Sequence, residues 1–271
     1  MPATQADKAA AFQALHREPG TFVIANAWDG GSARILQGLG FSAIATSSGA
    51  SAGTLGRLDG KVTRAEALAQ ARTIDGATDL PVSADFEKGF GDTPETVAET
   101  VRLAADIGLA GCSIEDATGQ KEQPLFSFDL AVQRVAAAAE AAHALPIPFT
   151  LTARTENFLR GNPNLDDTIE RLQAFEKAGA DVLFAPGLPD LASVRAVCSA
   201  VKKPVNFMVG IPGKSFSVAE LTAAGVKRIS LATSLYRAAM TGLFEAAREV
   251  KDKGTFGYLD RLMDVNKFMR R

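Results

Sequence analysis

The sequence is poor in the residues that would commit a chain early to a chemistry. Of its 271 residues only two are Cys (Cys112 and Cys198), two are His, two are Tyr and one is Trp. Two cysteines make neither a disulfide framework nor a zinc cluster, and both read as small buried apolar residues. His16 falls in the leading helix and His143 late in a later one. Both read as structural or surface residues, which leaves a Ser-His or Cys-His nucleophile without its imidazole. The formal net charge is only −2, with both signs interspersed. A nucleic-acid partner would want a basic face, and no run of like charges marks a tail or a membrane-surface patch. No stretch reaches the ~18–20 apolar residues that a bilayer span needs. The opening "MPATQADKAAAFQALHREPG" reads as a polar, Ala-rich amphipathic helix without the apolar centre of a secretion signal. A reduced cytoplasmic protein, with no nucleic-acid or membrane partner, is expected.

What is present is rhythm. With 46% hydrophobic residues the chain can bury a sizeable core. Its short apolar runs alternate with longer helical patterns throughout. The candidate strands are 21–27, 42–48, 81–87, 110–116, 148–155, 181–187, 204–210 and 228–233. Near-continuous apolar runs are what strands covered on both faces look like. Between them, helices are expected at 31–38, 63–77, 94–107, 128–143, 165–178, 190–200, 217–224 and 235–251. Thr63 with Glu66, and Ser217 with Glu220, have capping-box spacing, and Thr93 precedes a Pro at the first helical position. Gly38, Gly108, Gly179 and Gly225 stand where helices should end.

Eight β-then-α units of ~30 residues predict an α/β fold, a (β/α)₈ TIM-type barrel, as a single domain over 1–271. A doubly wound sheet would want a glycine-rich phosphate turn after its first strand, and "ANAWDGGSAR" does not fit that spacing. The tail, 252–271, carries Leu259, Leu262, Met263, Val265 and Met269 at helical spacing. This apolar stripe must be buried on its own barrel or on a neighbouring subunit.

In such barrels the chemistry sits where strands stop. Asp85 and Glu87 end strand three, and alternation puts them on one face. Glu115 ends strand four next door. Three converging carboxylates repel unless a positive charge lies between them. A hard, oxygen-seeking Mg²⁺ or Mn²⁺ suits them, or else they pair with Lys88, Arg154 or Lys121. Arg154, ending strand five, can clamp a substrate carboxylate bidentately or pair with Glu156 or Glu115. Ser47, Ser48 and Gly49, in "TSSGAS", offer hydroxyls and backbone N–H groups to an anion, or form an ordinary turn. Trp28 walls the pocket or belongs to the core.

Taken together, "LPVSADFEKGFGD", "GCSIED", "LTARTE" and "TSSGASAGTLGRLD", in these places, resemble the isocitrate lyase/phosphoenolpyruvate mutase superfamily over residues 20–250. The resemblance implies a Mg²⁺-binding barrel that cleaves or forms C–C or P–C bonds beside a carboxylate, through an enolate. Carried over by position, it makes Asp85 the direct metal ligand, with Glu87 and Glu115 holding the metal's waters. Ser47, Ser48 and Gly49 become the carboxylate turn, Asp59 an acid near the reacting centre, Arg154 the clamp, and Asn206 a contact to the second substrate half. It also implies homodimers or homotetramers with exchanged C-terminal helices.

The departures are local. Isocitrate and methylisocitrate lyases carry K-[KR]-C-G-H in the loop after strand four. Here that loop reads "DATGQKEQPLFS". Lys121 matches the Lys, Gln123 takes the Cys position, and no Gly-His follows. The mutase branch has K-x-N-S there, and Gln123 is an amide one methylene longer. The expectation is a Mg²⁺-dependent C–C lyase acting on a small 2-hydroxy or 2-oxo carboxylate, with Asp59, Lys121, Gln123 and Arg154 in catalytic roles. The alternatives are a P–C bond enzyme, an oxaloacetate decarboxylase or hydrolase, or a barrel that merely binds a 2-oxo acid.

Overall fold

The eight apolar runs form eight parallel strands: β1 Phe22–Asn26, β2 Ile44–Ala45, β3 Val82–Asp85, β4 Gly111–Glu115, β5 Thr150–Arg154, β6 Val182–Phe184, β7 Val205–Met208 and β8 Arg228–Ser230. They close in sequence order, with β8 pairing back to β1. The computed structural model describes residues 3–269. Positions 1–2 and 270–271, at the ends of the expected leading helix and tail, lie outside the described residues.

The helices are α1 Gln5–Arg17, α2 Gly30–Gly38, α3 Ser48–Thr54, α4 Arg64–Gly76, α5 Pro94–Asp106, α6 Phe128–His143, α7 Leu165–Lys177, α8 Leu191–Ala200, α9 Val218–Ala223, α10 Ser234–Lys253 and the short α11 Asn266–Met269. The capping boxes at Thr63 and Ser217 form as their spacing predicts, and Thr93 caps α5 ahead of Pro94. Each such cap stabilises its helix by about 1 kcal/mol.

Two apolar clusters fill the space between strands and helices, around Phe86, Val97 and Leu151 on one side and Leu172, Phe175 and Leu183 on the other. A third, small cluster seats α1 under the barrel floor: Phe12 packs with Ala9, Ile24, Ala43 and Ala110. Polar contacts fix the same plug. Gln5 Nε2 donates to the carbonyls of Ala105 and Leu109, and Lys8 Nζ to Asp75 Oδ1 and the Thr78 carbonyl.

Gly38 is the last residue of α2, as expected, and Gly40 beyond it takes the left-handed turn at φ 86°. A Cβ on Gly38 would stand 2.4 Å from the Phe268 ring, so this glycine also admits the tail. One expectation changes. The tail itself is not one amphipathic helix but a 3₁₀ turn, Gly257–Arg261, followed by α11. Arg34 Nη1 donates to the Met269 carbonyl, so this end returns to α2 of its own barrel. By contrast α10, the eighth barrel helix, buries none of its residues, and Leu243 and Phe244 are 63% and 61% exposed.

Candidate active site

Five residues on five adjacent strands form one hydrogen-bond register row: Glu115 opposite Arg154, Arg154 opposite Phe184, Phe184 opposite Asn206, and Asn206 opposite Arg228. Strands of such a barrel tilt by about 36°, so a register row is a ramp rather than a level ring. Glu115 and Arg154 are the last residues of β4 and β5, at the mouth. Arg228 is the first residue of β8, near the floor. A cavity of ≈ 310 Å³ follows the ramp, lined by Arg154, Phe184, Asn206 and Arg228 and, across from them, by Asp85 and Ser47–Gly49. A second cavity of ≈ 460 Å³ opens beside it, lined by Glu87, Glu115 and Arg160. Ser48, Asp59 and Arg154 border both.

The acids meet around Arg154. Its Nη1 lies 3.9 Å from Asp85 Oδ2, its Nε 3.5 Å from Glu115 Oε2, and Nε also donates to Glu156 Oε1. The guanidinium stands over the Phe184 ring at 5.0 Å, a favourable stacking for a planar cation. Burial alone would loosen the proton of Arg154, but Glu156, Glu115 and Asp85 bind it more firmly than usual. Burial pushes the Glu115 carboxyl well above the ordinary range, against the pull of Arg154. Glu87 rises to about 7, by burial first and then by the charges of Asp85 and Asp59.

Asp85 is held from three sides. Oδ2 accepts from the Ser48 N–H at 3.2 Å; Oδ1 accepts from the Glu87 N–H at 3.2 Å and from Ser113 Oγ at 3.5 Å. Glu87 does not share a strand face with it, as simple alternation predicted. The strand stops at Asp85, and Glu87 sits at φ 49°, a left-handed conformation that costs a non-glycine residue of order 1–3 kcal/mol. That kink turns it toward the second cavity.

The "TSSGAS" segment, expected as a turn that offers donors to an anion or as an ordinary one, opens α3, and Ser47 Oγ accepts from the Ala50 N–H as its cap. Gly49 is required here: a Cβ would stand 2.9 Å from Thr233 Cγ2 and 3.4 Å from Asp59 Oδ2. Asn206 is fully engaged within the ramp, accepting from Arg228 Nε at 2.9 Å and donating to Ser230 Oγ at 3.0 Å.

Three expected residues stand elsewhere. Trp28 lines neither cavity and packs edge-on against Tyr236 of α10 at 5.6 Å. Lys121 and Gln123 are exposed in the loop after β4 and also line neither cavity. That loop is pinned flat: Ala117 bridges Leu125, and the Thr118 N–H donates to the Pro124 carbonyl at 3.0 Å.

Glu156, named in the sequence only as a partner for Arg154, belongs to the site, and so do Arg160 and Arg228, which were not singled out. Glu156 is wholly buried; Arg160 Nε lies 3.0 Å from its Oε2 but outside hydrogen-bonding geometry, so that oxygen has no hydrogen-bond donor. Arg160 also reaches Glu115 at 3.5 Å. Arg228 was hidden in "RISLAT", where a charged residue opening an otherwise apolar strand was its signal.

Asp85 and Glu115 both approach Arg154, one of the pairings weighed for them, and Glu87 faces the second cavity. Among the described residues no three His, Cys, Asp or Glu side chains are grouped so as to hold a metal ion; Arg154 stands among the carboxylates instead. The donors nonetheless suit a hard divalent cation. They are carboxylate oxygens only, Glu87 and Glu115 are held above their usual range by burial first and by neighbouring carboxylates after it, and Glu156 Oε2 lacks a donor.

A closed (β/α)₈ barrel with acids and an arginine gathered at the carboxyl ends of its strands defines an enzyme of the carboxylate-handling barrel class. The chain matches the model of the phosphoenolpyruvate phosphomutase family over residues 12–251, and it belongs to that family, within the isocitrate lyase/phosphoenolpyruvate mutase superfamily of lyases and mutases. It is 31% identical to 2-methylisocitrate lyase of Escherichia coli K12, over 90% of this chain and 85% of that one. A lyase/mutase candidate from Burkholderia cenocepacia J2315 superposes with TM-score 0.96 at 48% identity, covering 98% of this chain and 97% of that one. A 2,3-dimethylmalate lyase superposes with TM-score 0.87 at 28% identity, covering 97% and 93%. No helix among the described residues is long and apolar enough to cross a membrane.

Proposed function

We propose that the chain is a divalent-metal-dependent C–C bond lyase acting on a small 2-hydroxy or 2-oxo carboxylate. The observation that carries this reading is the convergence of Asp85, Glu115 and Glu156 on the buried Arg154 at the mouth of the cavity. In this reading Asp85, Glu87 and Glu115 hold Mg²⁺ or Mn²⁺, which when bound supplies a Lewis acid for the substrate's oxygens. Arg154 then swings from its acids to the substrate carboxylate, a bidentate pairing its planar fork favours. The Gly49 N–H and the Ser47 hydroxyl, in the wall of the same cavity, are assigned to the same anion, while the Ser48 N–H stays on Asp85. As carbanion charge develops beside that carboxylate, these fixed donors stabilise it, each by a few kcal/mol.

Proton delivery is assigned to Lys121 or a water, with Gln123 orienting. Both residues reach the cavity only if their loop folds inward. Asp59, on the border of both cavities, is assigned a place near the reacting centre. The exposed apolar face of α10 supports a homodimer or homotetramer in which that helix packs on a neighbour.

The test is turnover on a panel of 2-hydroxy, 2-oxo and phosphono acids with Mg²⁺, products read by mass spectrometry and phosphorus NMR. A 2-hydroxy acid cleaved to two carbonyl-bearing or carboxylate fragments is the expected result. Rearrangement or hydrolysis of phosphonopyruvate would move the assignment to the P–C branch, and no turnover of any acid would reject an enzymatic role.

A further inference from the structure

The deep end of the cavity holds a charge that no residue neutralises. Arg228 is 5% exposed and lines the cavity from the floor of the ramp. Its Nε donates to Asn206 Oδ1 at 2.9 Å and its Nη2 to Thr152 Oγ1 at 3.0 Å; Nη1 lies 3.3 Å from His16 Nε2. All three partners are neutral. His16 Nδ1 sits 2.8 Å from the Phe12 carbonyl, which fixes the ring hydrogen there and leaves Nε2 as the acceptor. Among the described residues no carboxylate pairs with Arg228, whereas the other buried arginines of the barrel differ. Arg154 and Arg171 have acidic partners, and Arg134 still feels Asp92 and Asp116.

A guanidinium has five N–H donors, of which three are engaged here. Burying a cation without a counter-charge is costly, and a structural role alone is poorly served by it. Burial draws the arginine down to about 9, the direction expected when an anion is missing. Ser83, Ser113 and Ser230 line the same cavity, and its two acids, Asp59 and Asp85, make no ion pair with Arg228 among the described residues.

We propose that Arg228 is a specificity-determining residue that binds a second carboxylate of the substrate, inside the barrel and below the one held at Arg154. The inference rests on the mouth reading given above. The site then selects 2-oxo or 2-hydroxy dicarboxylates over monocarboxylates of the same length, because only the former supply the counter-ion that Arg228 lacks. Asn206 and Thr152 orient the fork, and His16, seated on the plug helix, supports it from behind.

Matched acids that differ in a terminal carboxylate test this by calorimetric titration of the Mg²⁺-loaded protein: 2-hydroxybutyrate against malate, and 2-oxopentanoate against 2-oxoglutarate. The wild type should bind the diacid of at least one pair about 10–100-fold more tightly, the scale of a charge-assisted contact. Arg228→Met should erase that gap while leaving monoacid affinity in place. Asn206→Asp is isosteric and gives Arg228 an internal counter-ion, so it should erase the gap with an unchanged melting temperature; it keeps the test open if Arg228→Met does not fold. No gap in the wild type, or a gap that survives these substitutions, overturns the proposal. Arg154→Met separates the two readings. If it abolishes binding of both members of a pair while no gap exists, only the Arg228 assignment falls. If it changes nothing while Arg228→Met closes a gap, only the mouth assignment falls.

Discussion

His16 should make the protein acid-labile through a single site. It is 8% exposed, with its ring edge-on to Phe12 at 4.7 Å and to Phe22 at 5.1 Å, and Arg228 Nη1 lies 3.3 Å away. Burial first, and the Arg228 charge second, lower its pKa from 6.5 to about 3. Between those values the unfolded chain holds the extra proton and the folded one does not. Stability contributed by the neutral ring is therefore complete above pH 6.5 and is lost as pH falls toward 3. At about 1.4 kcal/mol per pH unit, the loss comes to about 3 kcal/mol at pH 4.5, and about 5 kcal/mol over the whole window.

The perturbation that isolates this effect is His16→Gln, whose amide can still donate to the Phe12 carbonyl and accept from Arg228. At pH 7 the variant should be less stable by about 1–2 kcal/mol, from lost ring packing. At pH 4.5 it should have escaped the His16 penalty and match or exceed the wild type. Urea unfolding at the two pH values, followed by far-UV circular dichroism, measures both differences. If wild type and His16→Gln lose stability in parallel between pH 7 and pH 4.5, the buried neutral histidine is not the cause, and the seating of α1 against Arg228 is misread.

Two further outcomes follow from the mouth and from the eighth helix. Asp85→Asn keeps an acceptor for the Glu87 N–H but removes the charge; calorimetry should show Mg²⁺ or Mn²⁺ binding weakened at least 100-fold and turnover abolished, with a melting temperature within a few degrees of wild type. Undiminished metal binding would remove Asp85 from the ligand set. Leu243→Glu with Phe244→Glu places two charges on the bare face of α10; light scattering should show the native assembly shifted toward monomer, and an unchanged mass would place the contact between subunits elsewhere.

The barrel was legible because its requirements are local. A strand covered on both faces must be apolar almost continuously, and a capped helix needs a Thr or Ser at one position and a Glu three residues on. Every strand run and the boxes at Thr63 and Ser217 obey this. What was hidden depends on distant partners. That Gly38 must also leave room for a ring is set by Phe268, more than two hundred residues away. α3 was obscured because "SGASAGT" has the glycines and serines of a loop, although Ser47 caps it as a helix and Gly49 leaves room for Thr233 and Asp59. Glu87 was assigned by strand alternation one step after the strand had stopped. The loop with Lys121 and Gln123 matched a catalytic motif by position, but its backbone bridge keeps both side chains in solvent.

The site itself divides along the same line. Strand-end residues can be read from the sequence, and Asp85, Glu115 and Arg154 were. The pairing of Arg154 with Glu156 and Glu115 was among the alternatives, but Arg228 and its partners were not, because those depend on register around the wall. The row from Glu115 through Arg154, Phe184 and Asn206 to Arg228 runs across strands that are far apart in the chain. Because the strands are tilted, this row converts position in the sequence into depth in the barrel. It sets excess negative charge at the top, where a cation can enter, and an unpaired guanidinium at the bottom, where only something threaded past Arg154 can reach. In the proposed reading, a substrate with negative charge at both ends would satisfy the two arginines together, and a divalent metal would answer the acids. The polarity of the cavity, top to bottom, is thus a consequence of shear acting on five residues, none of which would reveal it alone.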